Sequence, residues 1–232
     1  MQLLADLEEA GASVRAVAVL PQGPLRLGCA VTLGIRHVAP AIAAFTAQYP
    51  RETVDVDLSG RAVDRVEEDF DLGSRVGAIG QQGLVSRRLG ASGMVCCASP
   101  AYLARHSDRP LRLPADLAAY DCLRYSKRSL RNTWRFTAAD GMRHDVKIAT
   151  DHRVNNGRML AALTVEGMGV INEPDFIVGP DLRAGKLVRV LEDFSPLRAT
   201  IAALYPSRRL LSTKVRAFVD FLAQRFAAAA PG

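Results

Sequence analysis

The sequence predicts an α/β fold in which strands and helices alternate along the chain. Three stretches carry the prediction. Leu25-Arg26-Leu27-Gly28-Cys29-Ala30 alternates apolar with polar or small residues, the period of a half-buried strand. Val38, Ile42, Phe45 and Tyr49 then recur at four, three and four residues, which marks an amphipathic helix. Val54-Asp55-Val56-Asp57-Leu58 alternates strictly again and reads as a second strand. Pro40 falls in the first turn of the helix, where a missing N–H is tolerated, and Pro50 closes it.

The remaining elements follow in order. Arg61 to Asp69 reads as a short helix with Val63 and Val66 inward, and Phe70 to Val76 as a third strand. That completes β-α-β-α-β, the pattern of a parallel sheet with right-handed crossovers. Val85 to Ala98 reads as two strands with a turn at Gly90 to Gly93. Ser99 opens a helical turn at Pro100, and Pro114 to Leu117 forms another. Cys122 to Tyr125 reads as a strand. Trp134 to Phe136 and Val146 to Ile148 flank Asp140-Gly141, a hairpin signal, and Trp134 itself reads as core. Asn155 or Asn156 caps a helix that runs to Val165 and breaks at Gly167-Met168-Gly169. Val170-Ile171, Leu187 to Leu191 and Ile201 to Tyr205 read as strands, and Pro174 to Val178 starts a short helix. Leu211, Val215, Phe218, Val219 and Leu222 form the inner face of a last helix. Before all of this, Leu3, Leu4 and Leu7 mark the end of a further helix, followed by a linker with Pro21, Gly23 and Pro24.

Composition narrows the function classes. The 232 residues are 49% hydrophobic and 23% charged, the balance of a folded domain rather than a disordered one. No apolar run approaches the ~20 residues that span a bilayer. The start carries Asp6, Glu8 and Glu9, the opposite of an export signal, so the chain is expected in the cytoplasm with no membrane partner. Cys29, Cys96, Cys97 and Cys122 lie in apolar surroundings without metal spacing and read as buried and inert. The net charge of +6 is compatible with an anionic partner. Arg124, Lys127, Arg128, Arg131 and Arg135 form a basic stretch with no acidic residue from Cys122 to Ala139. It reads either as a solvated loop or as a patch facing DNA or an anionic ligand.

Catalytic signatures are missing from the sequence. There is no GxSxG elbow, P-loop or GxGxxG, and Gly167-Met168-Gly169 lacks the third glycine. His37, His106, His144 and His152 show no metal-binding spacing. The chain is therefore expected not to be an enzyme and to carry no cofactor or metal.

Several stretches, in order, resemble the effector-binding domain of LysR-type transcription regulators. They include Gly23-Pro24-Leu25-Arg26-Leu27, Thr32-Leu33-Gly34 with His37-Val38-Ala39-Pro40, and Arg61-Ala62-Val63-Asp64 leading to Glu67-Glu68-Asp69-Phe70-Asp71-Leu72. Leu84 to Leu89, Ala98 to Leu103, Tyr205 to Arg209 and Lys214 to Leu222 continue the series. The resemblance implies a fold of the type 2 periplasmic-binding-protein kind, two Rossmann-like lobes joined by two crossover strands. Lobe I is expected at 22–98 plus 200–226 and lobe II at 99–199, with a linker-helix remnant at 1–21 and a frayed tail at 227–232. The family's N-terminal winged helix-turn-helix is missing from this sequence, so DNA is expected to be contacted only through that domain. The sensing domains of the family pair, so a homodimer or tetramer is expected.

A small-molecule effector, with carboxylates among the candidates, is expected in the cleft at the carboxyl ends of the strands. Thr32, with Leu33 beside it, follows the first strand at a helix start, where a hydroxyl and free N–H groups hold an anion or simply cap the helix. Ser59 and Gly60 occupy the equivalent place after the second strand. Arg75, at the end of the third, would neutralise an anion or form a hinge salt bridge. Ser126 reaches from the opposite wall, and the resemblance places Pro174, Asp175 and Phe176 along the cleft. Asp175 would repel a carboxylate, so it is expected to cap its helix or to bind an amine or hydroxyl. The expected function is an effector-sensing regulatory domain; the alternative is a solute-binding protein of a transport system on the same fold.

Overall fold

The computed structural model describes residues 23–59, 70–77, 83–126, 132–148, 151–196, 198–206 and 212–229. The expected helices at the N-terminus and at 61–69, and Leu211 of the expected last helix, lie outside these residues; of the tail expected to fray at 227–232, residues 227–229 continue the last helix and the rest lies outside.

Strand β1 (Gly23–Cys29) buries Leu25, Leu27 and Cys29 on alternate positions, as its sequence period requires. It pairs in parallel with β2 (Glu52–Asp57) on one side and β3 (Leu72–Val76) on the other. Between β1 and β2 the helical run starts earlier than expected, with a turn at Val31–Leu33. It passes through a π-helical stretch, Gly34–Val38, into α1 (Ala39–Gln48). The wide turn explains how Pro40 is accommodated after nine helical residues: Ala39 N–H already reaches back five residues to Gly34. Gly34 lets the Leu58 side chain, just past β2, pack closely, because a Cβ there would overlap its Cδ2. The helix start is thereby seated against the carboxyl end of the neighbouring strand.

Strand β4 (Leu84–Ser92) and the late strand β13 (Ala199–Pro206) complete a five-stranded sheet in the order β2-β1-β3-β13-β4. Helix α5 (Thr213–Ala229) returns Val215, Phe218, Val219 and Leu222 to the same core as β1, Leu33 and Phe45. These residues form the core of the first lobe.

The turn expected at Gly90 to Gly93 is replaced by a crossing. The chain leaves the first sheet at Ser92, breaks only at Gly93, and enters β5 (Met94–Ala98), which pairs with β10 (Ile171–Pro174) and β11 (Val188–Arg189). Met94–Ala98, assigned to lobe I by the sequence reading, is thus the middle strand of a different sheet. Strand periodicity on both sides of Gly93 is the same, so the sequence alone cannot show that the sheet changes there.

The second lobe is built around this sheet. Ser99 accepts the Tyr102 N–H at 3.3 Å and opens α2 (Pro100–Arg105); a 3-10 turn follows at Pro114–Ala119. Strand β6 (Arg124–Tyr125) pairs in parallel with β9 (Arg153–Val154), and the isolated bridge Cys122↔Val170 joins them to β10. The hairpin β7 (Thr133–Ala138) and β8 (Arg143–Lys147) turns at Asp140-Gly141, where Gly141 has φ +85° and Asp140 accepts the Met142 N–H. Strand β12 (Phe194–Pro196) lies beside β7. Asn156, not Asn155, caps α3 (Gly157–Val165) by accepting the Met159 N–H at 3.0 Å. Helix α4 (Asp175–Arg183) follows β10 directly.

Two cores flank the second sheet. Cys96 faces the one that holds Trp134 and Phe136, and Cys97 the one that holds Leu160 and Ile177. All four cysteines are free and buried. Burial pushes the Cys29 thiol up to about 11 and those of Cys97 and Cys122 up to about 12, so they stay protonated and weakly nucleophilic at neutral pH.

Candidate functional site

The carboxyl ends of the first-lobe strands face the second lobe, and the structure distributes the expected residues unevenly around that boundary. Ala30, not Thr32, is the residue that caps the first helical turn, and it does so without a side-chain bond. Thr32 lies inside the turn, half-buried, and its hydroxyl has no partner among the described residues. Leu33 departs from the expectation: at 1% exposed it belongs to the core, so its side chain supports the turn rather than lining a wall. Ser59 is half-buried just past β2 and has an interaction partner within the chain; Gly60 lies outside the described residues. Arg75 is half-buried opposite Ala202 in β13 and has no ion-pair partner among the described residues.

On the second lobe, Ser126 is exposed, and its N–H closes the β6–β9 ladder on the Val154 carbonyl at 2.9 Å. Pro174, Asp175 and Phe176 are brought together at the crossing. The Ser92 hydroxyl donates to the Asp175 carboxylate at 2.6 Å, and the Asp175 N–H donates to the Gly93 carbonyl at 2.9 Å. Asp175 therefore binds a hydroxyl, as its charge suggested, but the hydroxyl belongs to the protein's own hinge. Phe176 is half-buried against the cores of both lobes. Its ring meets the His37 imidazole of the first lobe edge-on, with centroids 5.3 Å apart.

Sequence reasoning missed the partners at this boundary. Ser92 and Gly93 read only as part of a turn and His37 only as part of a resembling stretch, and their long-range contacts alone identify them as boundary residues. His37 also lies 5.3 Å from the Phe226 ring. Its Nε2 is buried without a hydrogen-bond partner, and burial, then the neighbouring Arg36, lowers its pKa below 6.5 against the opposing pull of Asp175. The basic stretch divides: Arg135 pairs with Asp145 at 3.3 Å, 127–131 lie outside the described residues, and the Arg124 Nε is buried without a partner. A cavity of about 300 Å³ beside β5, lined by Met94, Cys96, Arg189, Phe194 and Arg198 among others, contains none of the expected site residues. Among the described residues no cluster of three or more His, Cys, Asp or Glu could hold a metal ion, and no helix is long and apolar enough to cross a membrane.

Two α/β bodies joined where β4 runs into β5 and β12 returns to β13 make a domain of the type 2 periplasmic-binding-protein kind. Residues 18–227 match the LysR substrate binding domain, and the chain belongs to that family. It is 30% identical over 224 residues to the HTH-type transcriptional regulator CrgA of Neisseria meningitidis, covering 96% of this chain and 74% of the relative. It is 32% identical over 228 residues to the HTH-type transcriptional regulator DmlR of Escherichia coli, covering 97% of this chain and 73% of that one. Among solved structures, CrgA superposes with a TM-score of 0.75 at 30% identity, over 97% of this chain and 76% of that one. The full-length Vibrio cholerae virulence activator AphB superposes with a TM-score of 0.72 at 25% identity, over 96% and 75%. The chain is the effector-binding domain of a LysR-type regulator, and these relatives decide against the transport solute-binding alternative.

Proposed function

We propose that this domain senses a small molecule held between its lobes and passes the resulting shift to DNA-binding domains, without catalysing a reaction. The observation that carries the reading is Phe176, which lies against both cores and follows directly on Asp175, bound to hinge residues Ser92 and Gly93. Any change in the angle between the lobes has to move this contact. A ligand that prefers one angle by a few kcal/mol is sufficient to switch the population.

The walls of the site are formed by Thr32, Ser59 and Arg75 from lobe I and by Ser126 and the Pro174 turn from lobe II. The Thr32 hydroxyl, without a partner among the described residues, is a ready donor to a carboxylate. Asp175 and Phe176 act on the hinge side, the first by holding Ser92 and the second by joining the cores. The domain works in the cytoplasm as a homodimer or tetramer, in which paired domains align the DNA-binding elements.

A thermal-shift screen against small carboxylates, aromatic acids and amino acids, with Thr32→Ala as control, tests the reading. Ligand at ~100 times its dissociation constant stabilises the folded state by about 2.7 kcal/mol. In a domain of this size that raises Tm by roughly 5–11 °C. The shift is expected to saturate and to shrink in Thr32→Ala. A saturable shift unaffected by that substitution would place the ligand elsewhere.

A further inference from the structure

The second-lobe sheet runs β5, β10, β6, β9. The bridge Cys122↔Val170 fixes the register of the middle pair. Two residues further along, Arg124 comes opposite Asn172, and Arg153 is paired with Arg124 on the other side. The intervening residues Leu123, Ile171, Tyr125 and Val154 all pack into the core beneath α3 and α4. Asn172, Arg124 and Arg153 therefore share the opposite face, in one row across three strands ~5 Å apart. The row ends two residues, ~7 Å, short of Ser126 and of Pro174, and Pro174 leads into the Asp175–Phe176 turn that meets the first lobe.

This row is unsatisfied as it stands. Asn172 is 6% exposed, and its Oδ1 has no hydrogen-bond partner. The Arg124 Nε is buried and also without one. Neither arginine has an ion-pair partner among the described residues, although their strands set the two at paired positions. Like charges at paired positions repel, and a buried polar group without a partner costs stability. Folded proteins keep such groups rarely, and a ligand that completes them is one reason to do so.

We infer that Arg153, Arg124 and Asn172 form the lobe II recognition wall for a small carboxylate that carries a hydroxyl or amine beside it. The carboxylate bridges the two guanidinium groups, and the neighbouring O–H or N–H donates to Asn172 Oδ1. The inference rests on the interlobe reading of the effector site and adds to it the chemical class of the ligand. A ligand spanning from Thr32 to this row would hold both lobes at once.

The test uses the isotope-labelled 232-residue chain and three probes at millimolar concentrations: glycolate, acetate and glycolamide. Nuclear magnetic resonance follows the Arg124 Nε–H, the Asn172 side-chain amide and the backbone amides of Thr32 and Ser59. Glycolate is expected to shift the Arg124 and Asn172 signals saturably. Acetate, which lacks the hydroxyl, is expected to bind roughly tenfold more weakly, and glycolamide, which lacks the charge, not to bind. Asn172→Leu supplies a second reading: it removes the unpaired acceptor, so it is expected to raise Tm without ligand and to abolish the preference for glycolate over acetate. A lower Tm in Asn172→Leu would overturn the assignment. So would glycolate shifts confined to Thr32 and Ser59, which would leave the interlobe site standing without this wall. No shift on either wall would remove both readings.

Discussion

The imidazole of His37 stands edge-on to the ring of Phe176, with centroids 5.3 Å apart, and the two belong to different lobes. The first lies on the helical run after β1, and the second on α4 after β10. Phe226 of α5 approaches the same imidazole at 5.3 Å, so three elements converge on one ring. The contact ties the two lobes together beside the hinge.

Truncating Phe176 to alanine should therefore loosen the lobes as well as lower stability. The side chain is half-buried, so the loss is about 2–3 kcal/mol, below the range for a fully buried phenylalanine. Urea unfolding measures the stability loss. Small-angle scattering is expected to show a larger radius of gyration than in the wild type.

Acidification should weaken the same contact. Burial holds the His37 pKa below its ordinary value of 6.5, with Arg36 adding to the effect and Asp175 opposing it. The unfolded chain thus binds the proton more readily than the folded one. This contribution to stability is complete above pH ~6.5 and falls as pH drops through the unfolded pKa toward the folded one. Thermal melts between about pH 8 and about pH 5 should show the decline, and His37→Gln should flatten it.

The hinge bond between Ser92 and Asp175 joins residues 83 positions apart. Ser92→Ala and Asp175→Asn should each cost about 1–2 kcal/mol, since one removes the donor and the other the charge. A double-mutant cycle by urea unfolding is expected to show that the two losses do not add.

Gly169 turns the chain into β10 with φ +150°, and a Cβ there would overlap the Asp121 carbonyl. Gly169→Ala should cost about 3 kcal/mol or more, because neither backbone can yield without breaking the Cys122↔Val170 bridge. Thermal melting of the variant checks the loss. Gly185→Ala, at φ +67° with open space around it, is expected to cost less.

What was legible in the sequence was local. The alternation of Leu25, Leu27 and Cys29, the Asn156 cap and the Asp140-Gly141 turn all act within a few residues, and each took its expected form. The crossing at Gly93 was not legible, because the residues before and after it have the same period and differ only in which strands they meet. The π-helical stretch escaped for a related reason: Pro40 is compatible with a first turn, and only the backbone of 31–38 shows that the helix begins earlier. In the candidate site, Thr32 could be singled out from its place after a strand. Asn172 and Arg124 could not, since 48 residues separate them in the chain and a single bridge sets their alignment.

Isothermal titration calorimetry with the compound that gives the largest thermal shift tests the central claim most directly. The wild-type chain is compared with one variant on each wall, Thr32→Ala in lobe I and Arg124→Met in lobe II. A ligand held between the lobes is expected to lose roughly tenfold in affinity from either change, with the fold intact by circular dichroism. Full affinity in both variants, or a loss confined to one lobe, would contradict a site shared by the two.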